Sequence, residues 1–458
     1  MKNLIIRIRR TWSDWSQRSV NRRIFAASVT IGGLTGCVNV ASFLKELMVA
    51  HRFGTSDDLD AFLIAFLLPN FAINVVAGSF SSAFIPMYVS VKEREGDKAA
   101  QRLFSSVSIW SLAVLGFACI VLGLSFHAVL PYIASGFSGE KLALTESLFF
   151  ALLPVTIASG VVTLWSSLLN ASEQFAVAAI APAAVPLVTM VSLFAYAGTY
   201  GIYSLAIGAV AGFCVQIAVL MVSLRKREIP LLPRWHGMSP HFRGVISQYL
   251  PMAAGAFLLS GTGLVDRAMA ATLGTGSVSV LSYANKVVAV VVGLGTLALG
   301  TAVLPHFSLM VAKEDWRGIR HTIKTYIRLL LWTTIPIVIF LTFVSRPIIE
   351  LVFERGRFTH SDTILVARVQ TFYFLQVPFY ALSILFIRLI SSLKQNKTLL
   401  WGATVSFPVN ILLNIIFMRW MGVAGIALST SVVYLISCIY LGSMFVHHMR
   451  DCEKRSHE

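Results

Sequence analysis

The stretch FSSVSIWSLAVLGFACIVLGLSFHAVLP, residues 104–131, contains no Asp, Glu, Lys or Arg. As a helix rising 1.5 Å per residue it reaches past the roughly 30 Å hydrocarbon core of a bilayer. Lipid offers backbone amides no hydrogen-bond partner, so such a segment must satisfy its own backbone as a helix. The rest of the chain is built alike: of 458 residues 56% are apolar and 13% charged, about half the charge of a soluble domain. This composition excludes a soluble enzyme and a secreted disulfide scaffold. The class is an all-α polytopic membrane protein.

Twelve apolar runs predict about twelve transmembrane helices. The first six cover roughly 24–50, 60–89, 104–131, 143–170, 173–197 and 199–224. The second six cover roughly 244–271, 277–308, 320–344, 363–391, 396–418 and 421–446. The net charge of +16 comes from basic residues clustered in alternate loops, which points to a membrane rather than to nucleic acid. With the N-terminus inside, 25 Lys and Arg fall on one side, 6 on the other and 6 within spans. The positive-inside rule then puts both termini in the cytoplasm. The basic segment 1–23, with Leu4, Ile5, Ile8, Trp12 and Trp15, reads either as an interfacial amphipathic helix or as a basic tail that sets orientation. Five scattered cysteines form no CxxC motif, which predicts neither a disulfide framework nor a zinc site.

The chain repeats itself. Ala83-Phe84-Ile85-Pro86 returns as Ala302-Val303-Leu304-Pro305, Gly54-Thr55 as Gly274-Thr275, Pro186 as Pro408, and Gly201-Ile202 as Gly422-Val423. The offset stays close to 220, so the spans divide into two pseudo-symmetric six-helix bundles, 24–224 and 244–446. A proline-bearing cytoplasmic linker, 225–243, joins them, and a tail, 447–458, follows. Parallel repeats of this kind build transporters that hold substrate between their halves and work by rocking.

Ionisable residues inside spans are the candidate site, because facing lipid is costly for them. Lys286 sits nine residues into the eighth span, roughly 13 Å deep, and reads as a cavity cation. Lys45-Glu46 and Asp266-Arg267 correspond in the repeat. Neighbours on a helix point about 100° apart, so each pair is expected to face two directions. Asp60, at the start of the second span, reads as an N-cap or as a substrate or ion contact. Arg328, Arg368 and Arg388 lie nearer span ends and read as interfacial anchors. Prolines within spans, Pro69 and Pro378 among them, each remove a helical hydrogen bond. No GxxxxGK[ST], HExxH or GxSxG pattern occurs, so neither an ATP-driven engine nor an enzyme is encoded and no cofactor is expected. Work must come from a coupling ion, the membrane potential or the substrate gradient.

Several segments resemble the lipid II flippase family (MurJ, also called MviN). They are Asp60-Ala61-Phe62 through Leu68-Pro69-Asn70, Gly78 through Pro86, Gly276 through Lys286, Phe353-Glu354-Arg355-Gly356-Arg357-Phe358-Thr359 and Pro408-Val409-Asn410 through Asn414. The resemblance implies a V-shaped transporter of two bundles with a cationic cavity for a diphosphate. It also implies that Lys45 and Lys286 stand where the family has cavity arginines, Glu46 where it has an acid and Asp60 where it has an aspartate. Arg267 and Asn39 are expected to complete the cavity set, with snorkelling to the interface the other reading of Lys45 and Arg267, and one of Glu46, Asp266 and Asp60 is expected to balance charge or bind a coupling ion. Asn39 and Ile73 stand where the peptidoglycan flippases usually carry arginine, and two further spans found in that family do not follow the twelfth. The expected function is therefore movement of an undecaprenyl-diphosphate-linked glycan of the exopolysaccharide type from the cytoplasmic to the periplasmic leaflet by alternating access. Flipping of lipid II is the alternative, and a cation-coupled multidrug exporter or a non-transporting scaffold stands behind both. The implied partners are the polyprenyl-diphosphate-linked sugar, membrane lipids and glycan polymerase or glycosyltransferases; nucleic acid is not among them.

Overall fold

In a computed structural model of the protein, residues 20–226, 233–313, 315–393 and 395–457 are described. Most of the expected 1–23 segment, part of the 225–243 linker and Lys394 lie outside them.

Each expected span has its helix. In the first half these are α1 (Val20–Phe53), α2 (Asp57–Ala65), α3 (Leu67–Ala72), α4 (Ser79–Glu95), α5 (Asp97–Ile133), α6 (Gly139–Ala171), α7 (Phe175–Ile180), α8 (Ala184–Tyr200) and α9 (Tyr203–Arg225). In the second half they are α10 (Pro240–Ala270), α11 (Ser277–Ala312), α12 (Trp316–Phe353), α13 (His360–Phe374), α14 (Gln376–Ser392), α15 (Asn396–Met421) and α16 (Val423–His457). Among the described residues, ten helical segments are long and apolar enough to cross a membrane. The seventh and eighth expected spans, α10 and α11, are continuous helices as well. Large apolar side chains such as Leu124, Phe194, Phe343 and Trp420 are each 81% exposed. In water such a surface would drive aggregation; in a bilayer it is the lipid-facing coat.

Three of the spans are interrupted. The second is α2, α3, a π-helical turn at Ile73–Gly78 and then α4. Pro69 has no N–H to give the carbonyl of Ala65, where α2 ends, so the helix resets across Phe66. A 3₁₀ turn at Ala181–Ala183, built around Pro182, splits the fifth span, and α13 gives way to α14 just before Pro378.

The repeat is visible in backbone angles. Gly201 ends α8 at φ 53°, ψ −129°, and Gly422 ends α15 at φ 58°, ψ −135°. Gln174 and Gln395, 221 positions apart, enter their helices at φ −98°, ψ 54° and φ −96°, ψ 46°. Gly54 and Gly274 both take positive φ.

Contacts divide the chain into two compact units. The first comprises Met1–Val49, Ala72–Ser125 and Leu148–Ala254, and the second Ala50–Phe71, Phe126–Ser147 and Gly255–Glu458. The first has a core of Phe80, Phe84, Tyr88, Phe104, Leu168 and Phe242. The second has one of Phe307, Ile323, Phe386, Leu389 and Phe445. Within the first unit α8 and α9 meet backbone to backbone: a Cβ on Gly212 would lie 2.7 Å from Val185 Cα, and one on Gly208 the same distance from Thr189 Cα. This is the close approach that small residues four apart permit between helices in lipid.

Replacing Gly212 with Leu should therefore force the pair apart and cost roughly 1–3 kcal/mol, read as a lowered thermal midpoint in detergent. Gly116, where a Cβ would meet nothing within 4 Å, should accept Leu with no change.

Candidate functional site

The deepest charge in the second unit is Asp60. Its own helix α2 is capped by Ser56, whose Oγ accepts from Leu59 N–H at 3.4 Å, so Asp60 is not the N-cap the sequence suggests. Sitting one turn further in and fully buried, it caps a different helix. Its carboxylate accepts from the N–H groups of Gly276 and Ser279, both at 2.8 Å, at the start of α11. There the unpaired amides and the positive end of the helix dipole favour an anion.

The third partner is Lys141, whose Nζ donates to Asp60 Oδ2 at 3.2 Å. The same ammonium bridges to Asp57 and lies 3.8 Å from the centre of the Phe137 ring. A buried ion pair is tolerable only when hydrogen bonds satisfy the remaining lone pairs, and here they do. Lys141 looks in sequence like an ordinary loop charge, and its role as counter-ion emerges only from the fold.

Around this centre, the turns at one end of the second unit interlock. Thr275 Oγ1 donates to Asp57 at 3.2 Å, and Thr55 Oγ1 donates to Asp362 at 2.5 Å. Arg357 N–H donates to the carbonyl of His51 at 2.9 Å. At Gly356, φ is +62° and a Cβ would collide with that same carbonyl, so only glycine lets the Glu354–Phe358 turn sit so close. Tyr283 donates from its hydroxyl to Gly54 O at 3.3 Å, with its ring between Phe353 and Phe358.

Lys286 lies three residues beyond Tyr283 on α11 and is half-buried, next to exposed Asn285. It is neither sealed in a dry core nor fully out on the surface. The hydrogen-bonded start of α11 sets where this cation stands along the helix.

Asp266 forms a second polar centre in this unit. Its carboxylate accepts from Asn414 Nδ2 at 2.7 Å and from Thr430 Oγ1 at 3.2 Å. Asn410 stands one turn from Asn414 and accepts from it at 3.5 Å. Asp266, Asn410 and Asn414 are all buried, and Asn414 Oδ1 has no hydrogen-bond partner. Arg267 is half-buried beside it.

The first unit holds Lys45, Glu46 and Asn39. Lys45 Nζ and Glu46 Oε1 pair at 2.8 Å, so their separation around the helix does not keep them apart. Two long side chains close an angle that the Cα positions open. Asn39 is exposed on the same helix. The repeat-related acids Glu46 and Asp266 thus have different surroundings: one is an ion pair, the other a buried amide and hydroxyl cluster.

The family model described as "Lipid II flippase MurJ" matches residues 49–451. The chain belongs to the MurJ family. The probable lipid II flippase MurJ of Rhizobium meliloti is 27% identical over 92% of this chain and 81% of its own length. The lipid II flippases MurJ of Burkholderia cenocepacia and Thermosipho africanus are each 27% identical over 91% of this chain, covering 83% and 85% of their own. Among solved structures, an inward closed lipid II flippase MurJ matches with a TM-score of 0.78 at 24% identity, over 93% of this chain and 90% of that one. An inward-facing multidrug resistance MATE transporter of the MOP superfamily matches at 0.74 and 13% identity, over 92% and 96%. The fold is that of this transporter group, and the chain is a multi-pass membrane transporter of the MurJ family, not an enzyme.

Two outcomes check the site. Asp60→Ala leaves two helix amides unpaired and Lys141 with Asp57 as its remaining carboxylate, and should cost roughly 1–3 kcal/mol, seen as a fall in thermal midpoint. Lys141→Met should restore part of that fall in the double variant. Outside the spans, Glu354 is held below its ordinary 4.5 chiefly by the hydrogen bond from Thr363 Oγ1, with His360 adding to it. A lowered carboxylate stabilises above its unfolded value and loses that contribution as pH falls through the folded one. In Thr363→Val, therefore, an NMR titration should find the Glu354 midpoint moved upward.

Proposed function

We propose that this protein flips lipid II from the cytoplasmic to the periplasmic leaflet, with both termini in the cytoplasm. The match to the lipid II flippase MurJ model across residues 49–451 carries the reading. It favours lipid II over the exopolysaccharide unit to which the sequence first points. Lys286 and Lys45, both half-buried, supply the positive charge that draws the diphosphate, and charge-assisted hydrogen bonds to phosphate are strong. Glu46, paired with Lys45, keeps that cation from standing uncompensated between transport events.

Asp266 is the residue we assign to ion coupling. Its carboxylate, the Thr430 hydroxyl and the carbonyl oxygens of Asn410 and Asn414 offer an all-oxygen set, and the partnerless Asn414 Oδ1 fits a small hard cation. Asp60 already accepts from Gly276, Ser279 and Lys141, which favours a structural role for it over ion coupling.

The test is transport of fluorescent lipid II in proteoliposomes. Lys286→Ala should slow flipping at least roughly tenfold, the loss of one charged hydrogen bond to phosphate, while Lys286→Arg retains it. Unimpaired flipping by the alanine variant would remove Lys286 from the path. Asn39 and Ile73 support the second reading, a different polyprenyl-diphosphate glycan. Faster transport of such a glycan than of lipid II in the same vesicles would decide for it. Asp266→Asn should abolish any dependence of the rate on a cation gradient.

A further inference from the structure

A groove of about 670 Å³ opens on the second unit, away from both polar centres, between α12, α14 and α16. Its floor is part of the unit's core: Leu331, Phe386 and Phe445. Its rim carries Arg320, Lys324 and Arg328, all exposed and each four residues from the next, so they form one stripe along α12.

The stripe is placed by depth. Residues 329–345 of α12 bear no charge, and those 17 positions extend about 25 Å, close to the thickness of the hydrocarbon core. Arg328 therefore stands at the hydrocarbon edge. Lys324 lies about 6 Å and Arg320 about 12 Å further out, across and beyond the headgroup layer. The apolar floor faces the acyl region and the cations face the phosphates.

We propose that this groove is a binding site for an acidic phospholipid of the surrounding leaflet, one acyl chain lying on Leu331, Phe386 and Phe445 and the headgroup phosphate held by Arg328 and Lys324. Charge complementarity selects this occupant. A second copy of the chain would bring its own cationic stripe against this one, and a free anion would leave the apolar floor uncovered. A zwitterionic lipid satisfies the floor but offers the stripe no net charge. Guanidinium groups suit the task because they bind phosphate through two parallel N–H donors.

The experiment is native mass spectrometry of the purified full-length protein with phosphatidylglycerol or phosphatidylcholine of identical chains. Each basic residue near an acidic surface strengthens attachment, so the wild type should retain phosphatidylglycerol at least roughly tenfold better. Arg320→Gln, Lys324→Gln and Arg328→Gln together should erase that preference while leaving the thermal midpoint unchanged. Val446 lines the groove and is 39% exposed, so Val446→Trp fills the space without entering the core and should weaken retention of both lipids. An undiminished preference in the triple variant overturns the proposal, as does wild-type retention by Val446→Trp. A concentration-dependent dimer that the triple variant strengthens would assign the groove to a second copy instead.

Discussion

One buried carboxylate holds the second unit's loop end together. Asp60 comes from the first half of the sequence, its amide partners Gly276 and Ser279 from the second, and Lys141 from the first again. A charge with no water around it is costly unless its lone pairs are met by an opposite charge and aimed donors. That demand fixes three chain segments with respect to one another at once. The turns at Gly54, Gly276 and Gly356 close around it, and the helix it caps is the one that carries Lys286.

The two polar centres of this unit solve burial in different ways. Asp60 is neutralised by a lysine and by a helix dipole, with three donors aimed at its two oxygens. Asp266 accepts its hydrogen bonds from a neutral amide and a hydroxyl, with the Arg267 guanidinium half-buried beside it. The first is a charge-paired helix cap, and the second is a carboxylate held by hydrogen bonds from uncharged side chains. Sequence position alone, near the outer end of a span in both cases, does not distinguish them.

The architecture was legible from residues because lipid leaves the chain few options: a long uncharged run must be a helix, and an even repeat must return to its starting side. The repeat offset survived into paired backbone angles at Gly201 and Gly422. The site was legible only in part. Asp60 announced itself as a capping residue, but the helix it caps begins more than two hundred positions away, and no local signal points there. Lys141 carried no signal beyond lying in a short loop. The expectation that Lys45 and Glu46 face apart came from Cα directions, which side chains of that length override. Glycan choice, read from Asn39 and Ile73, leaned on two absent arginines. Against that stand relatives aligned over some nine-tenths of the chain.

The interrupted second span has a mechanical consequence. Its first part, through Phe71, belongs to one compact unit, and from Ala72 onward it belongs to the other; the π-helical turn starts at the next residue. An unbroken helix resists flexing because every turn is stitched to its neighbours. Here one stitch is missing by covalent necessity, since a ring occupies the nitrogen of Pro69. A bend between Ala65 and Pro69, about one turn before the span passes from one unit to the other, costs one hydrogen bond fewer than it would in an unbroken helix.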